Sequence, residues 1–405
     1  MNARNQKPPK VVMVVFSYYL SDPRVRREAE ALAQNGMEVD VICLKKRDDD
    51  WKSKKNNVSI YRIPISRKRA SKFRYFFEYG SFICFSFFVL MLMRLIKKID
   101  IVHVHNMPDF LVVCSLIPKL FGAKVILDLH DPMPEVFMTK YAIPHTHYFI
   151  KLILFFEKLA IRYSNFVLTP NESFRELFIS RGCPTEKIHI VMNSPQEEIF
   201  NKTYTDRSSL RSSFDNDKFE IMFHGTIVER HGLDDALRAI ALLRKEIPHV
   251  QFKVYGDGDF LSEITALCDE LNLKDVVHFY GAVSLEKIAE SIESIDIGLI
   301  PNKSSPFTDI NFPTRIFEYL CKSKPVIAPS TFGIKDYFDE DSIFFFKAGD
   351  YRDLFNTLIE SYNNDDKRKR VLEKGKTIYM KYRWELQKKM FIDLIEKHPL
   401  LLNKR

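Results

Sequence analysis

The chain has 405 residues, 46% of them hydrophobic, enough for two ordinary domains that each bury a full core. Its formal net charge of +8 suits nucleic acid, an anionic membrane or phosphate-bearing substrates, but no zinc finger or other nucleic-acid signature accompanies it. The six cysteines, Cys43, Cys84, Cys114, Cys183, Cys268 and Cys321, form no CxxC pair, which argues against a zinc site or a disulfide frame and fits a reducing, cytoplasmic compartment.

The opening MNARNQKPPKVVMVVF is basic and then apolar, like a signal peptide. Its apolar run is only about six residues, and SYYLSDPR follows without a small-residue cleavage site, so it reads as a buried first strand. Further strands are expected at 39–43, 101–103, 125–129, 166–168 and 188–191. Helical patterns separate them, notably 24–35, which Gly36 stops. Such alternation predicts a parallel, doubly wound sheet. The second half repeats the plan, with strands at 221–224, 252–255, 277–279, 297–300, 326–328 and 343–345.

A polar stretch rich in Asp, Ser and Asn separates the halves, and 382–397 reads as a final helix with Trp384 near its start. The division expected is a domain at 1–195, a linker at 196–217, a second domain at 218–381 and a terminal segment at 382–405. Two open sheets would leave a cleft between their carboxyl edges, where ligands bind in such folds. Basic residues concentrate at 45–74, and an aromatic, uncharged run follows at 79–93. That run is about 15 residues, shorter than the roughly 20 needed to span a bilayer. Together, 45–93 reads as a surface that lies on the inner membrane; the alternative is a buried helix beside a solvated loop.

Several residues could carry chemistry. The loop SYYLSDPRVRR (17–27) follows the first strand and contains no glycine, which argues against NAD or FAD. Its Tyr18, Tyr19, Asp22 and Arg24 are candidates for acceptor binding, although Asp22 could equally be a plain helix cap. His103 and His105 lie two apart on one strand face; no third ligand is evident, and a structural role is favoured over a metal. His130 ends the strand at 125–129, between Asp128 and Asp131, and could meet a sugar hydroxyl or phosphate, with Asp131 on the acceptor side.

In the second half, HGTIVERHG (224–232) offers Gly225 for a close turn, and Thr226, Arg230 and His231 at the next helix start, a setting for a diphosphate. Tyr255, Gly256, Gly281, Ala282 and Val283 end two successive strands and leave room for a flat base. In PTRIFEYLCKSKPVIAPS (313–330) a short helix carries one carboxylate, Glu318, behind Asp309, Asn311, Thr314 and Arg315. A carboxylate there could accept the two adjacent hydroxyls of a ribose; the alternative is an exposed pair with Arg315 or Lys322.

HGTIVERHGLDDALRAI, VYGDGDF, VHFYGAV and PTRIFEYLCKSKPVIAPS, in that order, resemble the donor-binding half of glycosyltransferase family 4. The first half is similar through MVVFSYYLSDPRVRREAEALAQNGMEVDVICL, VHVHN, DLHD, LTPNESFRELFISRG and IVMNSP. The resemblance implies a GT-B fold of two Rossmann-like domains, with the C-terminal helix crossing back to the first. It implies a metal-independent, cofactor-free retaining enzyme that takes an NDP-sugar; the basic-aromatic stretch at 45–93 adds the expectation of a lipid-linked or glycan acceptor reached from the cytoplasmic membrane face. Carried over, Glu318 would hold the ribose, Arg230 or His231 the diphosphate, and Gly281 to Val283 the base. His130 would approach the reacting centre. The sequence departs from the pattern where members often carry a second Glu: Ile310 stands there, with Asp309 beside it. The usual phosphate-loop Arg and Lys fall on Thr226 and His231. A GT-B epimerase and an inactive, glycosyltransferase-like binding subunit are the alternatives.

Overall fold

The computed structural model describes residues 8–65, 72–201, 218–398 and 400–401, with backbone alone at 72–76. The chain divides into two compact units, Met1–Met192 with Lys388–Arg405, and Asn193–Gln387.

The first unit runs β1 (Lys10–Val14), α1 (Pro23–Gln34), β2 (Glu38–Leu44), β3 (Lys52–Lys55), β4 (Val58–Ile63), α2 (Lys72–Ile96), β5 (Ile101–His105), α3 (Leu116–Leu120), β6 (Lys124–Asp128), α4 (Met133–Tyr141), α5 (Tyr148–Tyr163), β7 (Phe166–Thr169), α6 (Glu172–Ser180) and β8 (Ile188–Ile190). Its strands form one sheet in the order β3-β4-β2-β1-β5-β6-β7-β8. All neighbours are parallel except β3 and β4. Every residue of β1 and β5 is buried, as expected of strands covered on both faces. Asp22 caps α1 by accepting from the Val25 amide at 3.2 Å, and Pro23 opens the helix. The chain steps from β1 to β2 on one side and to β5 on the other, so the sheet reverses direction beside the carboxyl end of β1.

The second unit runs α7 (Glu197–Phe200), β9 (Phe219–His224), α8 (Leu233–Glu246), β10 (Val250–Tyr255), α9 (Leu261–Glu270), β11 (Val277–Gly281), α10 (Leu285–Glu293), β12 (Ile297–Leu299), α11 (Arg315–Cys321), β13 (Val326–Pro329), α12 (Phe332–Lys335), β14 (Phe344–Phe346), α13 (Tyr351–Asn363) and α14 (Asp365–Tyr382). Its sheet is parallel throughout, in the order β11-β10-β9-β12-β13-β14. Here the reversal falls between β9 and β12. The last helix, α15 (Trp384–Lys397), starts among residues of the second unit, and its Phe391 and Ile395 complete the core of the first.

Three segments differ from the sequence reading. The basic stretch after β2 is not simply a solvated loop: β3 and β4 form a hairpin whose turn is Asn56–Asn57, both at positive φ (48° and 62°), as a two-residue hairpin turn requires. The aromatic run belongs to a 25-residue helix, α2, whose portion Phe77–Ile96 is long and apolar enough to cross a membrane. Residues 197–200 of the expected linker form helix α7, while 202–217 and the basic residues Arg67, Lys68 and Arg69 lie outside the described residues.

Candidate functional site

In the second unit, the loops after β9 and β12 flank the reversal. Gly225 follows β9 at φ 133°, a conformation that favours glycine. Arg315, the first residue of α11, donates from Nη1 to the His224 carbonyl at 2.7 Å, and the same nitrogen would lie 3.1 Å from a Cβ at Gly225. A Cβ at Gly256 would come within 1.9 Å of the Gly225 carbonyl oxygen, and one at Gly258 within 2.1 Å of that of Ile227. These loops therefore meet backbone to backbone. Gly256 in turn donates to the Gly281 carbonyl at 2.8 Å, which joins the ends of β9, β10 and β11 into one rim.

α11 is fixed from below. Tyr319 donates to the Met222 carbonyl at 2.8 Å and packs its ring where any side chain at Gly298 would stand, 2.3 Å from a Cβ. Glu318 sits one residue earlier, with its side chain 12% exposed. Its Oε2 lies 3.2 Å from His224 Nε2, a close approach without hydrogen-bond geometry. Burial and the nearby Arg315 charge hold His224 neutral. Glu318 is thus a half-buried carboxylate at the rim, less open than the exposed pair with Arg315 or Lys322 that was the alternative.

The two candidate phosphate-loop cations separate. His231 is pushed down to about 3 by burial and by the Arg315 charge, and its Nδ1 lies 2.6 Å from the Thr226 carbonyl oxygen, so it donates there as a neutral ring. The expectation that His231 supplies positive charge is therefore corrected. Arg230 instead sets its guanidinium 5.7 Å from the Phe307 ring centroid. Beside it, the Lys303 amide donates to the Arg230 carbonyl at 3.0 Å, and the Lys303 ammonium pairs with Asp234 at 2.5 Å.

Around Ile310, Asp309 accepts from Ser304 at 2.9 Å, while the carbonyls of Ile310 and Asn311 press on Gly333. Thr314 precedes α11 without a side-chain cap bond. Ala282 and Val283 are exposed beyond Gly281, and Tyr280 stacks on Tyr255 at 4.5 Å with rings 9° apart.

In the first unit, a buried charge network lies at the carboxyl ends of β1, β5 and β6. Arg24 grips both oxygens of Asp128 at 2.7 Å, donates to the Val191 carbonyl at 3.1 Å and lies 3.4 Å from Glu28. His105 Nδ1 and His130 Nδ1 reach Asp128 Oδ2 at 2.9 and 3.3 Å. Burial pulls the His130 pKa down, but the hydrogen bond and charge of Asp128 outweigh it and raise it to about 9. Asn106 fixes the turn by accepting from the His130 amide at 3.1 Å and donating to the Asp131 carbonyl at 2.6 Å. His130 keeps 22% of its side chain exposed and is half-open to solvent.

The acceptor candidates near β1 fare unevenly. Tyr19 is buried in the core and Arg24 is committed to Asp128, so neither presents its polar group to a ligand, which corrects both expectations. Asp22 is the cap of α1 and also accepts from Ser17 at 2.7 Å. Tyr18 and Asp131 remain half-exposed. The pair His103 and His105 does gain further groups: with Glu28 and Asp128, one donor atom from each lies within 4.8 Å of the others. Arg24 already supplies the cation that Asp128 demands, burial pushes the Glu28 carboxyl up towards its neutral form, and burial holds His103 neutral.

Residues 21–194 match the family described as a glycosyl transferase 4-like domain, and 206–378 the family described as glycosyl transferases group 1. An uncharacterized glycosyltransferase of Methanocaldococcus jannaschii, MJ1607, is 24% identical over 341 residues, 81% of this chain and 82% of its own. WcaI of Escherichia coli, named for colanic acid biosynthesis, is 24% identical over 316 residues, covering 72% and 75%. Among solved structures, the sucrose-phosphate synthase of Thermosynechococcus elongatus aligns with TM-score 0.76 at 16% identity over 96% of this chain and 98% of its own. Anabaena HepE, in complex with UDP-glucose, aligns with TM-score 0.71 at 14% identity over 95% and 99%. The chain belongs to the GT-B glycosyltransferases of the family 4 type.

Proposed function

We propose that this glycosyltransferase moves a sugar, with retention of configuration, from a nucleoside-diphosphate sugar to a lipid-linked or polysaccharide acceptor in cell-surface glycan synthesis. The observation that carries the donor half is Glu318, a half-buried carboxylate held on the rim that Gly225, Gly256 and Gly281 form. Glu318 accepts the two ribose hydroxyls, Arg230 neutralises the diphosphate, and the segment Gly281 to Val283 borders the base. The UDP-glucose bound by HepE and the colanic acid role in the name of WcaI support this direction.

The chemistry asks the protein to position and to stabilise charge. No side chain is assigned as nucleophile; the departing diphosphate takes the proton of the incoming hydroxyl. His130, held as an imidazolium by Asp128, approaches the donor sugar and offers a proton-bearing Nε2 to developing negative charge. No metal takes part, so transfer persists in EDTA. The enzyme works in the cytoplasm, at the inner face of the membrane.

A thermal-shift screen of the full chain against nucleotide sugars tests the reading. A true donor at about 100 times its Kd adds about 2.7 kcal/mol of stability. If no nucleotide or nucleotide sugar raises the melting temperature, the donor assignment fails.

A further inference from the structure

The first unit carries an exposed apolar face. On α5, Tyr148, Leu152, Phe155, Phe156 and Leu159 are all exposed, at helical spacing, while Ile150, Ile153, Ala160 and Ile161 bury the opposite face. On α2, Tyr79, Phe82, Ser86 and Leu90 are buried, with Phe16 against the first two rings at 4.7 and 5.2 Å. Its other side exposes Phe85, Phe88, Leu92, Leu95 and Ile96. Between these helices lie α3 and the helical turn Asp109–Ser115, which packs against both and exposes Val113, Leu116, Leu120 and Phe121. Cross-contacts make the surface continuous. Arg94 of α2 lies 4.7 Å from the Phe121 ring centroid, Phe110 meets Phe156 at 5.5 Å, and Ser115 meets the Tyr163 hydroxyl at 3.1 Å.

Charge identifies the occupant. Among the described side chains of α2, α3, α5 and the turn between them, the carboxylates are Glu78, Asp109 and Glu157, and all three are buried. The exposed charges on α5 are Lys151, Lys158 and Arg162, in a stripe one residue removed from the apolar one. A second copy of this chain would bring the same cations against themselves across a two-fold axis. An anionic bilayer offers both an apolar layer for the rings and negative headgroups for the lysines.

We infer that α2, α3 and α5 together form a docking face that lies on an anionic lipid bilayer, with α5 as its main contact. This deepens the membrane reading above and rests on it, but it makes α5 the main contact in place of the basic segment at 45–74. The buried edge of α2 keeps that helix on the domain, so it lies along the membrane and does not cross it.

The test is cosedimentation of the full chain with vesicles of phosphatidylglycerol and phosphatidylcholine in equal parts, against phosphatidylcholine alone. Binding to the anionic vesicles, weakened by salt and released by an alkaline carbonate wash, is expected. The variant Lys151→Gln, Lys158→Gln, Arg162→Gln should lose roughly 100-fold in partitioning, about 5-fold per charge. Phe155→Gln with Leu159→Gln should lose binding with an unchanged melting curve. Variants that bind as well as the parent overturn the proposal. So does protein retained after the carbonate wash, or a dimer in solution that the Phe155→Gln pair dissociates. Donor-induced thermal shifts in the same variants separate this surface from the donor site: loss of vesicle binding with the shift retained concerns the docking face alone.

Discussion

Asp128 Oδ2 lies 3.3 Å from His130 Nδ1 while Arg24 holds the same carboxylate from the other side. The imidazole just past the carboxyl end of β6 is thus steered by a buried anion that cannot relax away. His130 should therefore stay protonated through neutral pH. Its raised pKa means the charged form is fully present below the ordinary value of 6.5 and is lost as pH climbs through about 9. Transfer rate should be flat through neutrality and fall above about pH 9. His130→Ala should remove that limb and cut kcat roughly 100- to 1,000-fold. A pH–rate profile of parent and variant decides it; an unchanged alkaline limb in the variant rules out His130 as its source.

Asp128→Asn should destabilise the first unit more than any surface change. It leaves the Arg24 guanidinium buried without its bidentate partner, Glu28 remaining at 3.4 Å, a loss on the order of 3–5 kcal/mol. Denaturant titration of the full chain reads this directly.

Glu318→Gln should keep the fold and weaken the donor. Losing a carboxylate bonded to a ribose costs about 1.5–3 kcal/mol, roughly 10- to 150-fold in kcat/KM. An unaltered kcat/KM for every nucleotide sugar would remove Glu318 from the donor site.

Arg230 and His231 should behave differently although they are neighbours. Because His231 is already neutral well above about 3, His231→Gln should leave the shape of the rate profile unchanged between about pH 5 and 8. Arg230→Ala should lower donor affinity across the same range by about 1.5–3 kcal/mol. Isothermal titration with the nucleoside diphosphate compares the two.

Gly256→Ala should destabilise the second unit by about 1–3 kcal/mol, since the new methyl meets the Gly225 carbonyl at 1.9 Å and the residue sits at φ 142°. Donor binding should weaken with it, because the same two loops build the rim.

Much of the architecture was legible. Strands such as KVVMV and VIAP are continuous apolar runs because both faces of a parallel sheet are covered, and that pattern survives in a single sequence. Glu318 stands out as a candidate because it is a lone carboxylate on a short helix with apolar neighbours, while its place beside His224 took the folded sheet to bring about. The hairpin at β3 and β4 was hidden because lysines dominate its outer strand and its turn uses Asn–Asn in place of glycine. The Arg24–Asp128 pair joins residues 104 positions apart, which no local pattern reveals. The neutrality of His231 depends on burial and on Arg315, so residue type alone points the wrong way.

The membership of Lys388–Arg405 in the first unit has a practical consequence for dissecting the molecule. A gene fragment ending at Met192 encodes every strand of the eight-stranded sheet yet lacks Phe391 and Ile395, which fill part of its interior. That half cannot be produced soundly as one uninterrupted piece. The second unit, by contrast, is a continuous insertion, and the first would need its tail supplied in trans or spliced on by a short linker.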